Sequence, residues 1–273
     1  VAFAQFLNGR SLLEATRDDV AAWLEANTRD PKDPSDQRPW SRRTAHRKRS
    51  ALNGFFEWAL EDGLITRSPM QRIKPPKFKK PEPVWLPKEQ IDRIFEFIET
   101  KIAVSEPEQA ALYMLDAALF RMLFNWGLRV SEATTLTYDQ IRKEDGELRI
   151  IVYRKGDKVD AFPLTGVVRQ AFDRWHHVRA EIHADPRHIG YVFVHPRFRK
   201  RVSRKRAWLR LRKIAREAGL PEDSIRRLSP HKLRHSIARY MLESGIPINQ
   251  VKAFLSHADI RTTQEYLDLD ERA

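Results

Sequence analysis

Residues 228–245 read LSPHKLRHSIARYMLESG and have the pattern of a single helix that begins at a proline. Ser229 is suited to cap this helix, and Pro230 fits its first turn, where no backbone N–H is needed. His231 and Arg234 follow three residues apart, so the helix places both side chains on one face. A helix N-terminus also favours a nearby anion. The stretch therefore predicts a helix that presents an imidazole and a guanidinium together.

Three other segments contain the residue types that phosphoryl transfer without a metal requires. They are GLRVSE at 127–132, RKGDK at 154–158, and SHAD at 256–259, with Tyr266 nine residues after the histidine. Each alone has an ordinary explanation, such as a surface cation after a helix, a lysine in a hairpin turn, or a helical tyrosine that packs. Glu132 either orients Arg129 or forms a plain salt bridge at a helix start.

Taken together and in order, the four segments resemble the tyrosine recombinases, also called the phage integrase family. The set Arg, Lys, His-x-x-Arg, His and Tyr is specific, because a chance match of six positions in order is improbable. Residues 1–73 are similar to the family's helical core-binding domain, and 88–273 to its catalytic domain. One departure is Leu255-Ser256-His257, where the family commonly has Leu-Gly-His.

The resemblance implies that six side chains act on one backbone phosphate: Tyr266 as nucleophile, Arg129 and Arg234 as phosphate clamps, Lys155 as general acid, and His231 and His257 as a supporting pair. A phenol has a pKa of about 10, so it needs a proton acceptor, and His231 is suited to that role. Guanidinium groups can meet the non-bridging oxygens bidentately as charge develops there. The leaving 5′-oxygen needs a proton donor, for which Lys155 is preferred and Lys158 is the alternative.

A proline-rich segment separates two predicted domains. Residues 74–87 read KPPKFKKPEPVWLP, and five prolines in this segment exclude a helix and favour an extended linker. Apolar residues ahead of it recur at three- and four-residue spacing, as in Phe3 with Phe6 and Leu7, which predicts a small all-helical domain at 1–73.

The second predicted domain, 88–273, combines helices with a little sheet. A β-hairpin is expected from the strand patterns at 148–153 and 159–164, with a further short strand at 191–194. Helices are expected at 203–218, 230–244, 247–255 and 262–269, with Gly219 and Gly245 just after two of them. The predicted fold class is therefore mainly α with a small β-hairpin or sheet, an α+β arrangement.

The chain is strongly basic, with 50 Lys and Arg against 37 Asp and Glu and a net charge of +13. Two basic stretches stand out, 42–49 at the start of a helix, where cations oppose the helix dipole, and 197–216. A DNA backbone would compensate these charges; solvated surfaces, or a membrane for the second stretch, are the alternatives. The predicted DNA-binding residues are Arg42, Arg43, Arg47, Lys48, Arg49, Lys77, Lys79, Lys80, Arg204, Lys205 and Arg206.

The amino-acid composition excludes several kinds of active site. The chain has no cysteine, so a thiolate nucleophile and a cysteine metal site are excluded. Its acidic residues have no spacing typical of metal ligands, and we expect neither a metal nor a nucleotide cofactor. No apolar stretch is long enough to span a membrane, and a cytoplasmic, nucleoid-associated protein is expected.

The sequence thus predicts a site-specific DNA recombinase that forms a 3′-phosphotyrosyl intermediate without metal or ATP, with integration of a phage or mobile element as its expected task. The resemblance implies a homo-tetramer on two double-stranded DNA sites, and a monomer is expected without DNA. Two alternatives are a DNA-relaxing enzyme similar to type IB topoisomerases and a sequence-specific DNA-binding protein that does not cleave.

Overall fold

The computed structural model describes residues 2–78, 85–144, 146–154 and 159–255. The chain divides into two compact units, Val1–Glu82 and Pro83–Ala273. Among the described residues, no helix combines the length and apolarity that crossing a membrane would require.

The first unit is helical, as predicted. It contains α1 (Ala2–Phe6), α2 (Arg17–Asn27) and α3 (Arg42–Glu61), together with a short 3-10 turn at Leu12–Glu14. Thr16 and Ser41 cap α2 and α3, each accepting a hydrogen bond from a first-turn backbone N–H. The buried core comprises Phe3, Leu7, Val20, Trp23, Leu24, Phe56 and Met70.

The second unit contains eight helices and a small sheet within the described chain. These helices are α4 (Lys88–Val104), α5 (Pro107–Asn125), α6 (Val130–Thr134), α7 (Gly166–Glu181), α8 (Arg204–Glu217), α9 (Glu222–Arg227), α10 (Pro230–Glu243) and α11 (Ile248–Phe254). Short 3-10 turns lie at Tyr138–Gln140 and Pro186–His188. Helix α5 is buried on most sides, by residues from Ala110 to Leu123.

A three-stranded antiparallel sheet has the order β1 (Ile141–Glu144), β2 (Glu147–Tyr153) and β3 (Val159–Pro163). The predicted hairpin is confirmed, with Tyr153 paired to Val159 next to the connection between the two strands. Strand β1 was not predicted, because its sequence, IRKE, is polar and mostly exposed at the sheet edge and gives no apolar alternation.

The predicted strand at 191–194 is wrong. This segment forms only isolated bridges, from Tyr191 to Thr137 and from Val194 to Arg201. Its apolar pattern has another cause, because Val192, Phe193 and Val194 are fully buried in the core. Its backbone groups are satisfied by single bonds, such as the one that Trp175 Nε1 donates to the Val192 carbonyl at 3.0 Å. Apolar runs of this length do not distinguish a strand from a buried loop.

Candidate active site

A tight turn after α5 positions Arg129, the first arginine of the predicted catalytic set. Gly127 has a φ of +57°, and a Cβ at this residue would lie 2.5 Å from Leu255 Cδ2, so both the backbone conformation and the packing require glycine. Arg129 follows directly and is the N-cap residue of α6. The turn therefore brings the start of α6 close to the end of α11.

Helix α10 is held in place by Leu86, near the end of the proline-rich stretch. The Leu86 N–H donates to Ser236 Oγ at 2.9 Å, and the Tyr240 hydroxyl donates to the Leu86 carbonyl oxygen. Pro230 occupies the first turn of α10, as predicted. Ser229 is the N-cap residue, but its side chain makes no capping bond, which differs from the expected role. The tertiary contacts of α10 lie further along the helix, at Ser236 and Tyr240.

Arg234 joins three segments of the second unit. Its side chain is among the largest fully buried ones, and Nη1 and Nη2 donate to the carbonyl oxygens of Gly127 and Leu255. Burial, and then the neighbouring cations Arg129 and Arg154, lower the pKa of Arg234 to about 10. The group therefore remains charged at neutral pH, and its bond to the Gly127 carbonyl places it beside the turn that leads into Arg129.

His231 lies one helical turn before Arg234 and is solvent-exposed. Its ring meets the His235 ring edge-on, with centroids 4.5 Å apart. Surrounding protein, and then the charges of Arg234, Lys232 and Arg129, lower the pKa of His231 below its usual 6.5. The imidazole is therefore mostly neutral at pH 7 and can accept a proton.

A chain of charged groups surrounds Arg129. Glu132 contacts Arg129, as both alternatives predicted, because its carboxylate accepts from the Arg129 backbone N–H and from Arg129 Nη1, each at 2.7 Å. The same carboxylate lies 3.4 Å from Arg154 Nη1, and Arg154 is also paired with Asp160 on β3. Arg154 was not assigned a role from the sequence. The only available signal was the predicted hairpin connection, which lies between Arg154 and the strand that contains Asp160.

The structure brings together Arg129, His231 and Arg234 from the predicted set. Lys155, its alternative Lys158, His257 and Tyr266 lie outside the described residues. Among the described residues, no group of three or more His, Asp or Glu side chains could hold a metal ion.

Most of the predicted DNA-binding residues are exposed, but the basic stretches are not uniform. On α3, Arg42, Arg43 and Arg47 are exposed, whereas Arg49 donates from Nε and Nη2 to the Ile73 carbonyl oxygen at 2.9 and 2.7 Å. Arg49 thus has a structural contact inside the first unit. Lys48 is half-buried, and its Nζ lies 5.8 Å from the Trp40 ring centroid.

The second basic stretch contributes both surface charge and a buried ion pair. Arg204, Lys205 and Arg206 are exposed at the start of α8, whose N-cap Ser203 accepts from the Arg206 backbone N–H at 3.2 Å. Arg210, in contrast, donates to the buried carboxylate of Asp116 at 2.6 Å. Of the remaining predicted DNA-binding residues, Lys77 is exposed, and Lys79 and Lys80 lie outside the described chain.

Comparisons with known proteins agree with the fold. The model of the Phage integrase family matches residues 84–272, and that of the phage integrase N-terminal SAM-like domain matches 1–63. Tyrosine recombinase XerC of Roseiflexus castenholzii (strain DSM 13941 / HLO8) is 30% identical, over 99% of this chain and 81% of its own length.

Two solved structures share the fold at lower identity. XerH site-specific recombinase, in a post-cleavage complex with palindromic difH substrate, has a TM-score of 0.71 and 20% identity, covering 98% of this chain and 73% of that one. The Tn1549 transposon integrase in complex with circular intermediate DNA has a TM-score of 0.64 and 19% identity, covering 97% and 85%. From the family models and the XerC relative, the chain belongs to the phage integrase family of tyrosine recombinases.

Proposed function

We propose that this recombinase cleaves one strand of duplex DNA with Tyr266 and holds the cut end as a 3′-phosphotyrosyl link. The phenolic oxygen bonds to the backbone phosphorus while the bond from phosphorus to the 5′-oxygen breaks. His231 accepts the phenolic proton, with His257 in support, and Lys155 donates a proton to the leaving 5′-oxygen. Because the link conserves the energy of the phosphodiester, attack by a 5′-hydroxyl rejoins the strand without ATP.

The observation that carries this proposal is that Arg234 bonds to the carbonyl of Gly127, in the turn that leads into Arg129. As the phenol attacks, charge builds on the non-bridging oxygens, and fixed donors at that position provide the largest stabilisation. Each nitrogen of Arg234 that bonds to a backbone carbonyl has a second hydrogen, so the buried guanidinium keeps donors for a phosphate. One of those carbonyls belongs to Leu255, the last described residue before the segment that contains Tyr266.

Double-stranded DNA is the proposed substrate, bound in part by the exposed cations at the starts of α3 and α8. The relatives are XerC recombinases, and the solved structures include a transposon integrase bound to DNA. Integration of a mobile element stays a prediction for this chain, and so does a cytoplasmic location beside the nucleoid. Sequencing the DNA trapped on the protein in cells would identify the recombined sites.

A nicked suicide substrate tests the proposed function. Loss of a short fragment next to the nick prevents rejoining, so the wild-type protein is expected to accumulate a covalent, protease-sensitive DNA adduct, also in the presence of EDTA. Absence of the adduct, with DNA binding intact, would leave only a non-cleaving binding protein. Relaxation of a supercoiled plasmid without strand exchange between two sites would instead favour the topoisomerase alternative.

The pH dependence of cleavage is expected to follow the neutral form of His231. Its lowered pKa keeps the imidazole unprotonated further into acid than a free histidine, so the single-turnover rate is expected to reach half its maximum below pH 6.5. Rates measured from pH 5 to 8 provide the check, with His231→Gln as the matched variant. A half-maximum above pH 6.5, or the same acid limb in His231→Gln, would contradict this role.

We also propose that four chains assemble on two DNA sites, as the family resemblance implies. Light scattering of the protein with a duplex recovered by trapping is expected to give a complex of four chains and two duplexes. The protein alone is expected to be a monomer. A complex that stays at one chain per duplex, even with excess DNA sites, would contradict tetramer assembly.

A further inference from the structure

We propose that Arg154 is a positioning residue for Arg129 and acts through the carboxylate that the two arginines share. The inference rests on the proposed function, because it takes Arg129 to meet the reacting phosphate. Arg154 would not touch that phosphate. It would keep Glu132 in the place from which Glu132 orients Arg129.

Arg154 is fixed from several directions. It lies just past the end of β2, and its side chain is only 2% exposed. Its Nε is paired with the Asp160 carboxylate on β3, and its Nη1 lies 3.4 Å from Glu132 Oε2 on α6. Its Cζ also lies 5.5 Å from the Phe162 ring centroid. With partners on a strand and on a helix, the guanidinium links the hairpin to the start of α6.

Glu132 is held from both sides. Its side chain is 10% exposed, and it accepts from Arg129 through both oxygens, while Oε2 also faces Arg154. Arg129 is the most exposed of these groups, with a side chain 40% accessible to solvent. If Arg154 were lost, the carboxylate would be neutralised by Arg129 alone. Arg129 would then be drawn toward Glu132 and away from a phosphate.

A role in positioning Arg129 explains the burial of Arg154 better than a contribution to the stability of the fold does. Well-packed apolar residues often replace a buried ion pair without loss of stability, so such a pair is a poor choice for a purely structural position. The Nη2 of Arg154 is also buried and makes no hydrogen bond with any described residue, which is unfavourable for folding. The ion pairs join two guanidinium groups to two carboxylates. Arg234 donates to the Gly127 carbonyl two residues before Arg129 and adds one further positive charge, which an anion can neutralise.

The test uses the full chain and three nicked suicide duplexes that differ only at the scissile phosphate. One has the normal phosphodiester, one has a neutral methylphosphonate, and one has sulfur in place of the leaving 5′-oxygen. The methylphosphonate lacks the charge that Arg129 would stabilise. The sulfur leaves as a thiolate, whose pKa of about 8.5 removes the need for a proton donor. Single-turnover rates are measured for wild type, Arg154→Gln and Arg129→Gln.

Arg154→Gln is expected to cleave the phosphodiester about 10²-fold more slowly than wild type, because a displaced catalytic group costs about that factor. On the methylphosphonate, the difference is expected to shrink to about threefold or less, as for Arg129→Gln, because little charge is left to stabilise. The sulfur substrate is not expected to restore the rate. The matched control is Arg149→Gln on β2, whose arginine pairs with Glu147 away from the site, and it is expected to match wild type on all three duplexes.

Three results would overturn the proposal: a wild-type rate for Arg154→Gln on the phosphodiester, an equal loss on all three duplexes, or rescue by sulfur alone. An equal loss would indicate a general structural role, and rescue by sulfur would place the effect at the leaving group. If Arg154→Gln does not fold, Arg154→Lys is used in its place and is held to the same three criteria. If the wild-type protein forms no adduct at all, the proposed function is contradicted, and this outcome is distinct from the three results that contradict the role of Arg154.

Discussion

Tyr266→Phe is expected to abolish the covalent DNA adduct, because the change removes the only atom that can bond to phosphorus in the proposed reaction. We expect cleavage of the nicked duplex to fall by about 10⁴-fold or more, the scale of nucleophile loss in other enzymes with covalent intermediates. DNA affinity is expected to stay close to that of wild type, since the phenolic oxygen contributes little to contacts along the backbone.

The adduct is measured as protein-linked DNA on a denaturing gel, and affinity by a mobility shift. Tyr191→Phe serves as the matched control, because Tyr191 lies against Arg201 and has no role in the proposed reaction. It is expected to form the adduct at the wild-type rate. Persistence of the adduct in Tyr266→Phe would assign the nucleophile to another residue.

Arg234→Lys is expected to lower single-turnover cleavage by about 10²- to 10³-fold, the cost of losing one well-placed oxyanion donor. An ammonium is a point charge and cannot reach the carbonyls of Gly127 and Leu255 while also meeting a phosphate. Each buried carbonyl left without its donor destabilises the fold by about 1–3 kcal/mol, so the melting temperature is expected to fall as well.

Two further variants separate the effect on chemistry from the effect on folding. Arg129→Lys changes a side chain that is 40% exposed, so we expect a similar loss of cleavage with a nearly unchanged melting temperature. Arg226→Lys changes an exposed arginine that pairs with Asp223 on the same short helix and is expected to match wild type in both measurements. If Arg129→Lys and correctly folded Arg234→Lys both cleave at the wild-type rate, the proposal that these two arginines clamp the phosphate is contradicted.

Local sequence patterns were sufficient to predict the parts of the fold that depend on local interactions. The hairpin follows from two apolar strands around a short polar connection, and α10 begins at Pro230 because proline suits a first helical turn. The meeting of Arg129 with His231 and Arg234 was predicted from family resemblance, since nothing in their spacing along the chain brings them together.

Features that depend on distant partners were not predicted. The Asp116–Arg210 pair joins residues 94 positions apart, and the burial of Arg234 depends on Gly127 and Leu255 from two other segments. The apolar segment at 191–194 was assigned to a strand because local pattern does not reveal whether a neighbouring strand is present. In each case the tertiary contact, rather than local preference, decides the conformation.

The most direct test of the account identifies the residue that is joined to DNA. After trapping on the suicide duplex and digestion with nuclease and trypsin, the peptide TTQEYLDLDER, residues 262–272, is expected to carry a nucleotide through a phosphate on Tyr266. Fragmentation in the mass spectrometer locates the added mass to a single side chain. A nucleotide on any other residue, or an adduct without a phosphotyrosyl bond, would contradict the account.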